Sequence, residues 1–273
     1  MAFTFRSFLA LTLLGLALSG CSTFGKKDDL PDEPADKLYN EGLALQARKD
    51  WKKAGDKFNE IDRIYAYTDY GRKALLLSAY SYYEAKNYEE AITAGKRFIQ
   101  LYPTNPDAAY AAYLVGSAYY DEIPDVNRDQ SRTEKAMGTL MEVERRWPQS
   151  EYAKAARRKI EAARDNLAGR EMVVGRYYLN QRNYVGAVNR FRVVVSQYQS
   201  TRLVEEALAR LAECYLAMGI VNEAQTAAAV LGHNFPESQW YKDTYKLMQS
   251  KGLEPREDKA SYISTAFKAI IGR

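Results

Sequence analysis

The sequence has few of the side chains that most often carry chemistry. Its 273 residues include one histidine and two cysteines. No second histidine and no cluster of cysteines lies at the distance from His233 that a zinc site requires, so no zinc site is predicted. The chain also contains no phosphate-binding Walker loop, no G-x-G-x-x-G and no G-x-S-x-G. No catalytic residue and no metal ligand is therefore predicted, and the composition favours a scaffold over an enzyme.

The first twenty residues, M-A-F-T-F-R-S-F-L-A-L-T-L-L-G-L-A-L-S-G, join one positive charge to an uninterrupted apolar run. This pattern predicts a secretory signal at residues 1–20, because it is too short for a comfortable membrane span of about 20 apolar residues. The run ends at L-S-G-Cys21, which resembles the bacterial lipobox. The resemblance implies a covalent lipid on Cys21, and no other cofactor is expected. Residues 21–34 are then a polar, flexible tether.

Ser22 follows the lipobox cysteine, where inner-membrane lipoproteins of enterobacteria carry aspartate. By that resemblance we expect the outer membrane, with the protein anchored by its lipid on the periplasmic face. Lysine and arginine number 39 against 35 acids. Without Arg6 of the signal the excess is 38 minus 35, or +3, which does not favour a nucleic-acid partner. Cys214 has no second cysteine for a disulfide and is expected to be a small core residue.

The stretch from Arg72 to Pro103 fits a 34-residue tetratricopeptide unit, which is two antiparallel helices joined by a tight turn. Ala79 and Ala91 fall where the two helices must approach closely, and Pro103 ends the second helix. The pattern recurs five times, with these alanines at the second close approach: Ala54, Ala91, Ala136, Ala187 and Ala224. An unrelated helical bundle is the alternative, but bundles keep no fixed period.

The spacings between these alanines are 37, 45, 51 and 37 residues. The 45 reflects an insertion after Tyr120, predicted to be a loop, and the 51 reflects an additional helix of roughly Glu151 to Leu167. We therefore predict an all-α solenoid of about five helix hairpins with an extra helix before the fourth. Units 1–3 occupy residues 35–148, the extra helix and units 4–5 occupy 149–250, and a tail with a short amphipathic helix occupies 251–273.

Tyrosines recur on the first helices of units 1–3, at positions that face the concave side of such a solenoid. Tyrosine suits recognition because it offers a large rigid surface with a polar tip. We expect a groove for an extended peptide that ends in an aromatic residue. The alternative is that these side chains pack on neighbouring helices. The six residues, called the tyrosine row below, are Tyr39, Tyr80, Tyr83, Tyr110, Tyr113 and Tyr120.

Two further segments are candidates for partner docking. The basic region 145–170, which includes Arg157, Arg158 and Arg164, is either a solvated helix face or a surface for an acidic partner. The tail spaces Ile263, Phe267 and Ile270 along one side of a helix. This stripe either caps the last hairpin or docks a partner, and docking is slightly favoured.

Residues 164–190, R-D-N-L-A-G-R-E-M-V-V-G-R-Y-Y-L-N-Q-R-N-Y-V-G-A-V-N-R, resemble the pattern R-x-x-L-A-x-x-E-x-x-V-x-x-Y-Y-x-x-x-x-x-Y-x-x-A-x-N-R of the BamD (ComL-type) family. The resemblance implies a non-enzymatic part of the outer-membrane β-barrel assembly machinery. Its N-terminal repeats would receive the β-signals of unfolded barrel proteins. Its C-terminal repeats would hold the periplasmic domains of BamA, with Asn189, Arg190 and the basic helix nearby. Other lipoproteins of the machinery are expected partners.

Two other functions remain open at this point. One is a different tetratricopeptide lipoprotein scaffold, such as a secretin pilotin or a cell-wall or division scaffold; such proteins lack the 164–190 stretch. The other is an enzyme acting on peptidoglycan, which would need a general acid in a cleft.

Overall fold

The computed structural model describes residues 33–271, with side chains to residue 267. The predicted signal, Cys21 and most of the tether lie outside the described residues. Within them every regular element is a helix. The helices are α1 (Ala35–Ala47), α2 (Trp51–Ile64), α3 (Asp69–Glu84), α4 (Tyr88–Leu101), α5 (Ala108–Asp121), α6 (Ser131–Arg146), α7 (Glu151–Asn180), α8 (Tyr184–Gln197), α9 (Val204–Ala217), α10 (Val221–Asn234), α11 (Gln239–Ser250) and α12 (Tyr262–Ile271).

Consecutive helices pack as hairpins, and each first helix also contacts the next first helix along most of the chain. This is the predicted all-α solenoid. The hairpin turns repeat one backbone device. Lys49, Lys86 and Arg182 have φ near +60°, and Gly219 has φ +75°. The amide after the left-handed residue bonds a carbonyl five residues back, as Asn87 N does to Tyr82 O at 2.9 Å. The bond reverses the chain within three residues.

Small residues allow the paired helices to touch. The five predicted alanines are all fully buried. A Cβ added at Gly42 would lie 2.6 Å from the ring of Phe58, and one at Gly175 would lie 2.5 Å from the ring of Phe191. Both phenylalanines are completely buried. The predicted pattern of small residues facing large ones is therefore confirmed.

The insertion after Tyr120 is a loop, as predicted, because no helix is formed between Asp121 and Ser131. The extra helix differs from its prediction. It does not end near Leu167 but continues as one 30-residue helix, α7, whose second part is the first helix of unit 4. Residues 151–180 contain no proline. Their two glycines, Gly169 and Gly175, lie inside the helix, where each packs closely on a neighbour: a Cβ added to Gly169 would lie 3.4 Å from Val126 of the loop. Nothing in this sequence forces a helix end.

The tail returns to the solenoid and packs α12 against α8 and α10. Ile263 is fully buried and Phe267 is 8% exposed, both within the core cluster of units 4 and 5. The prediction that these two side chains dock a partner is wrong, since this chain itself covers them. The capping alternative is what the structure has, because the last hairpin would otherwise expose its apolar side. The side chain of Ile270 lies outside the described residues.

We expect Gly175→Ala to lower the free energy of unfolding by about 1–3 kcal/mol, because the new methyl group meets the buried ring of Phe191. Gly138→Ala is the matched control: it is also in a helix, but an added Cβ has no neighbour within 4 Å. The control should raise stability by about 0.5–1 kcal/mol through helix propensity. Urea denaturation measures both, and equal effects of the two changes would contradict the close-approach account.

Candidate functional site

The tyrosine row lies on three first helices. Tyr39 is on α1, Tyr80 and Tyr83 are on α3, and the remaining three are on α5. All six side chains are half-buried. Each ring thus has one part fixed by packing and another part open to a ligand. The buried part of each side chain packs on its neighbours, which was one of the two sequence interpretations. That the open part lines a peptide groove stays a prediction.

The centre of the row is formed between α3 and α5. Tyr80, Tyr83 and Tyr110 all pack on one buried cluster built around Leu75 and Phe98. Burial raises the pKa of Tyr80 and of Tyr110 above the ordinary tyrosine value. These phenols therefore stay neutral at physiological pH, as hydrogen-bond donors held on an apolar base.

Tyr152, at the start of α7, completes the centre of the row, and the sequence analysis missed it. Its ring centroid lies 5.1 Å from that of Tyr110 and 5.7 Å from that of Tyr113. Tyr152 would have been found if the extra helix had been treated as a further first helix. Trp51, the first residue of α2, also belongs to this centre, because its ring meets that of Tyr80 edge-on with the centroids 5.8 Å apart.

A polar link joins the row to the basic helix. The Tyr83 hydroxyl donates to Asp121 Oδ2 at 2.6 Å, and Lys159 Nζ lies 3.5 Å from Asp121 Oδ1. Lys159 Nζ also lies 4.5 Å from the centroid of the Tyr120 ring. Burial and then the bond to Asp121 raise the pKa of Tyr83. The link therefore joins two first helices, α3 and α5, to the first part of α7.

The N-terminal end of the row is a separate aromatic group. The Tyr39 ring packs edge-on against Phe58 at 5.6 Å and against Tyr70 at 5.5 Å. Tyr70 is 40% exposed and the neighbouring Tyr67 is 83% exposed. Exposed aromatic surface at this end extends the row beyond the residues that the repeat positions indicated.

The predicted docking residues fall on two surfaces. Arg190 Nη1 lies 3.2 Å from Glu171 Oε2, which joins α8 to α7, and Asn189 beside it is exposed. Arg157 Nε lies 2.7 Å from Glu144 Oε1 of α6. Arg157 and Glu171 are 14 residues apart on one helix, or about 21 Å at 1.5 Å per residue. Arg158, next to Arg157, is exposed, and Arg164 is half-buried midway between Arg157 and Glu171.

Other chemistry is not indicated by the described part of the chain. Residues 33–271 hold no group of three or more metal-binding side chains. Burial raises the pKa of the Cys214 thiol to about 12, which keeps it protonated as the predicted core residue. None of the helices between residues 33 and 271 has the length and apolarity needed to cross a bilayer.

Comparison with known proteins gives consistent matches. Residues 31–231 match the family described as "YfiO: Outer membrane lipoprotein". Three similar proteins are each called outer membrane protein assembly factor BamD. The Caulobacter vibrioides protein is 40% identical over 269 residues, covering 97% of this chain and 88% of the relative. The Rickettsia prowazekii protein is 41% identical over 88% of this chain and 96% of the relative. The Neisseria meningitidis serogroup A protein is 32% identical over 85% of this chain and 92% of the relative.

Tyr83→Phe should lower the free energy of unfolding by about 1 kcal/mol, because it removes the hydroxyl that Asp121 accepts. Tyr113→Phe is the control, since it lies in the same row and its hydroxyl makes no hydrogen bond among the described residues. The control should change stability by only a few tenths of a kcal/mol. Urea denaturation of both variants tests the link, which is refuted if Tyr113→Phe costs as much as Tyr83→Phe.

Proposed function

The chain belongs to the BamD family of outer membrane protein assembly factors, and we propose that it is the non-catalytic scaffold on which barrel substrates meet the barrel-forming subunit. Units 1–3 bind the C-terminal β-signals of unfolded barrel proteins along the tyrosine row. The C-terminal half holds the periplasmic domains of BamA. The observation that carries the proposal is the row of half-buried tyrosines on consecutive first helices, within the region that matches the family.

The row has the properties that an extended, aromatic-ended peptide requires. The rings of Tyr80, Tyr83 and Tyr110 are pre-positioned by the cluster beneath them, so little freedom of these side chains is lost on binding. A stacked aromatic pair contributes about 0.5–1.5 kcal/mol beyond its buried area. The neutral hydroxyls and the amide of Gln46, which donates to Ser81 Oγ at 2.8 Å, offer polar partners for an extended backbone. The rings would give the binding surface its shape, and the hydroxyls would set the orientation of the bound peptide.

Replacing Tyr80 and Tyr83 together by alanine should weaken binding of a peptide that ends in phenylalanine by about tenfold or more, since two ring faces are lost. Fluorescence anisotropy with a labelled β-signal peptide measures the effect. Tyr177→Ala is the control, because Tyr177 is 61% exposed on α7 and lies outside the row. Circular dichroism checks that the double variant is folded. If the folded double variant binds as tightly as the parent, the row is not the peptide site.

The pair of Arg190 and Glu171 supports the proposed docking of BamA. The Arg190 side chain is 44% exposed, and its partner carboxylate is only 20% exposed. A carboxylate on a docking domain could therefore approach the guanidinium from solvent while Glu171 holds it from behind. Arginine suits this role because its planar fork can bond two carboxylates at once.

Arg190→Glu should weaken binding of the isolated BamA periplasmic domains by about tenfold or more, because the change places like charges opposite the partner acid. Arg128→Glu is the matched control, an equal charge change at an exposed position of the insertion loop. Surface-based binding measurements compare the two. Equal losses would indicate a general charge effect, and no loss in Arg190→Glu would remove this residue from the docking surface.

The lipid on Cys21 and the outer-membrane, periplasm-facing location complete the proposal. Both rest on the lipobox and on family membership, and mass measurement of the N-terminal peptide tests the lipid. Contact with other lipoproteins of the machinery stays a prediction.

A further inference from the structure

The chain contains two copies of a four-helix block, and corresponding residues of the two copies are separated by a constant number of positions. Gly42 and Gly175 are 133 residues apart (175 minus 42), and so are Phe58 and Phe191. The offset holds without a gap from α1–α4 to the second part of α7 and α8–α10. Each residue of the first block therefore has a structural counterpart 133 residues later.

In the second block, α12 fills a groove between the two second helices, α8 and α10, over the first helix α9. We call this the C-terminal groove. Ile263 and Phe267 of α12 belong to the same buried cluster as Leu208, Tyr215 and Ala227 of the groove. These two side chains, four residues apart on α12, form the apolar part of the contact.

Polar contacts hold the first residue of α12 and the residues just before it. Ser261 Oγ donates to Glu223 Oε2 at 2.7 Å, and the amide of Asp258 donates to Thr226 Oγ1 at 3.1 Å. The guanidinium of Arg192 lies 4.0 Å from the centroid of the Tyr262 ring. The groove thus recognises both the apolar stripe of α12 and the polar residues at its N-terminus.

The first block has the corresponding groove between α2 and α4, over α3, called here the N-terminal groove. In the described chain it forms an open cavity of about 350 Å³. Five of its lining residues are Leu75, Tyr82, Glu90, Thr93 and Ala94. Their counterparts in the C-terminal groove carry the same side chains: Leu208, Tyr215, Glu223, Thr226 and Ala227.

The two grooves are also alike in local geometry, but only the C-terminal groove is covered by a helix of the described chain. Thr93 Oγ1 donates to Glu89 O at 2.9 Å, and Thr226 Oγ1 donates to Asn222 O at 2.9 Å. Thr226 is nevertheless fully buried, whereas Thr93 is exposed. The contacts of α12 account for the difference. The N-terminal groove keeps the glutamate and the threonine that bind the start of α12, and no such helix covers it within residues 33–271.

Four positions distinguish the N-terminal groove. Asn59 and Glu89 stand where the second block has Arg192, which contacts Tyr262 of α12, and Asn222. The other two positions form a pair. Val195 and Val230 of the second block are replaced by Asp62 and Arg97 in the first. Arg97 Nη2 lies 3.2 Å from Asp62 Oδ2, and the Asp62 side chain is only 2% exposed while that of Arg97 is 49% exposed. The rim of this groove therefore presents a cation to a ligand where the C-terminal groove presents an apolar surface.

We propose that the N-terminal groove binds a short amphipathic helix of another protein, similar to α12 but with an acidic residue placed to meet Arg97. The helix would present a hydroxyl or amide donor to Glu90. It would lay two apolar residues, four apart, over the floor of the groove, where Leu75 is only 1% and Ala94 only 6% exposed. A second copy of this chain is not the expected source, because its own α12 is buried in its own C-terminal groove. The site is separate from the tyrosine row and does not depend on the proposed function.

A labelled synthetic peptide of residues 254–271 serves as the probe, with the full chain as receptor. We expect saturable binding that Thr93→Trp weakens by about tenfold or more, since the indole occupies the groove. Gln100→Trp, an exposed position of α4 outside the cavity lining, should bind like the parent. Replacing Asp62 and Arg97 together by valine recreates the second block's residues and should tighten binding of this peptide, which lacks the added acid.

Thermal melts confirm that each variant is folded. Three results would overturn the proposal: no binding to the parent chain, equal binding by the parent and Thr93→Trp, or binding only by the double valine variant, which would mean that the groove as it stands rejects such helices. Sedimentation supplies a further test. The parent chain could form dimers that dissociate both in the Thr93→Trp variant and when residues 251–273 are removed. That result would identify a second copy as the occupant and refute the assignment to another protein.

Discussion

The close approach of paired helices is the constraint on which the rest of the structure depends. It requires a small residue on one helix opposite a buried ring or leucine on the other, as with Gly42 and Phe58 or Gly116 and Leu140. Because the requirement recurs in each unit, the hairpins stack with first helices beside first helices. The tyrosine row and the grooves between second helices are consequences of that stacking, and neither exists within one hairpin alone.

Stacking separates the two kinds of surface. Residues on the exposed side of the first helices, such as Tyr80 and Tyr110, pack on the cluster around Leu75 and Phe98 and form the centre of the tyrosine row. Residues such as Thr93 and Thr226 face the gap between second helices. A solenoid of this kind can hold an extended peptide on one side and helices on the other. That division is what the proposed scaffold would need in order to connect an unfolded substrate with folded partners.

Much of the fold follows from the sequence, because short-range patterns determine it. The hairpins, the buried alanines and the insertion loop were all predictable from small residues, aromatics and prolines at fixed offsets. The continuity of α7 was not, since the expected end near Leu167 had no residue that would impose one. The burial of Ile263 was also not predictable, because an amphipathic stripe is the same whether this chain or a partner covers it. The link through Asp121 and Lys159 joins residues 38 apart, and no local pattern indicates it.

The most direct test of the account is purification of the tagged, full-length chain from detergent-solubilised membranes of its own organism, with partners identified by mass. The scaffold account predicts recovery of a large barrel protein with repeated periplasmic domains, in amounts comparable to the chain itself. Recovery of secretin or cell-wall proteins without such a barrel protein would contradict it and would leave the tyrosine row in need of a different ligand.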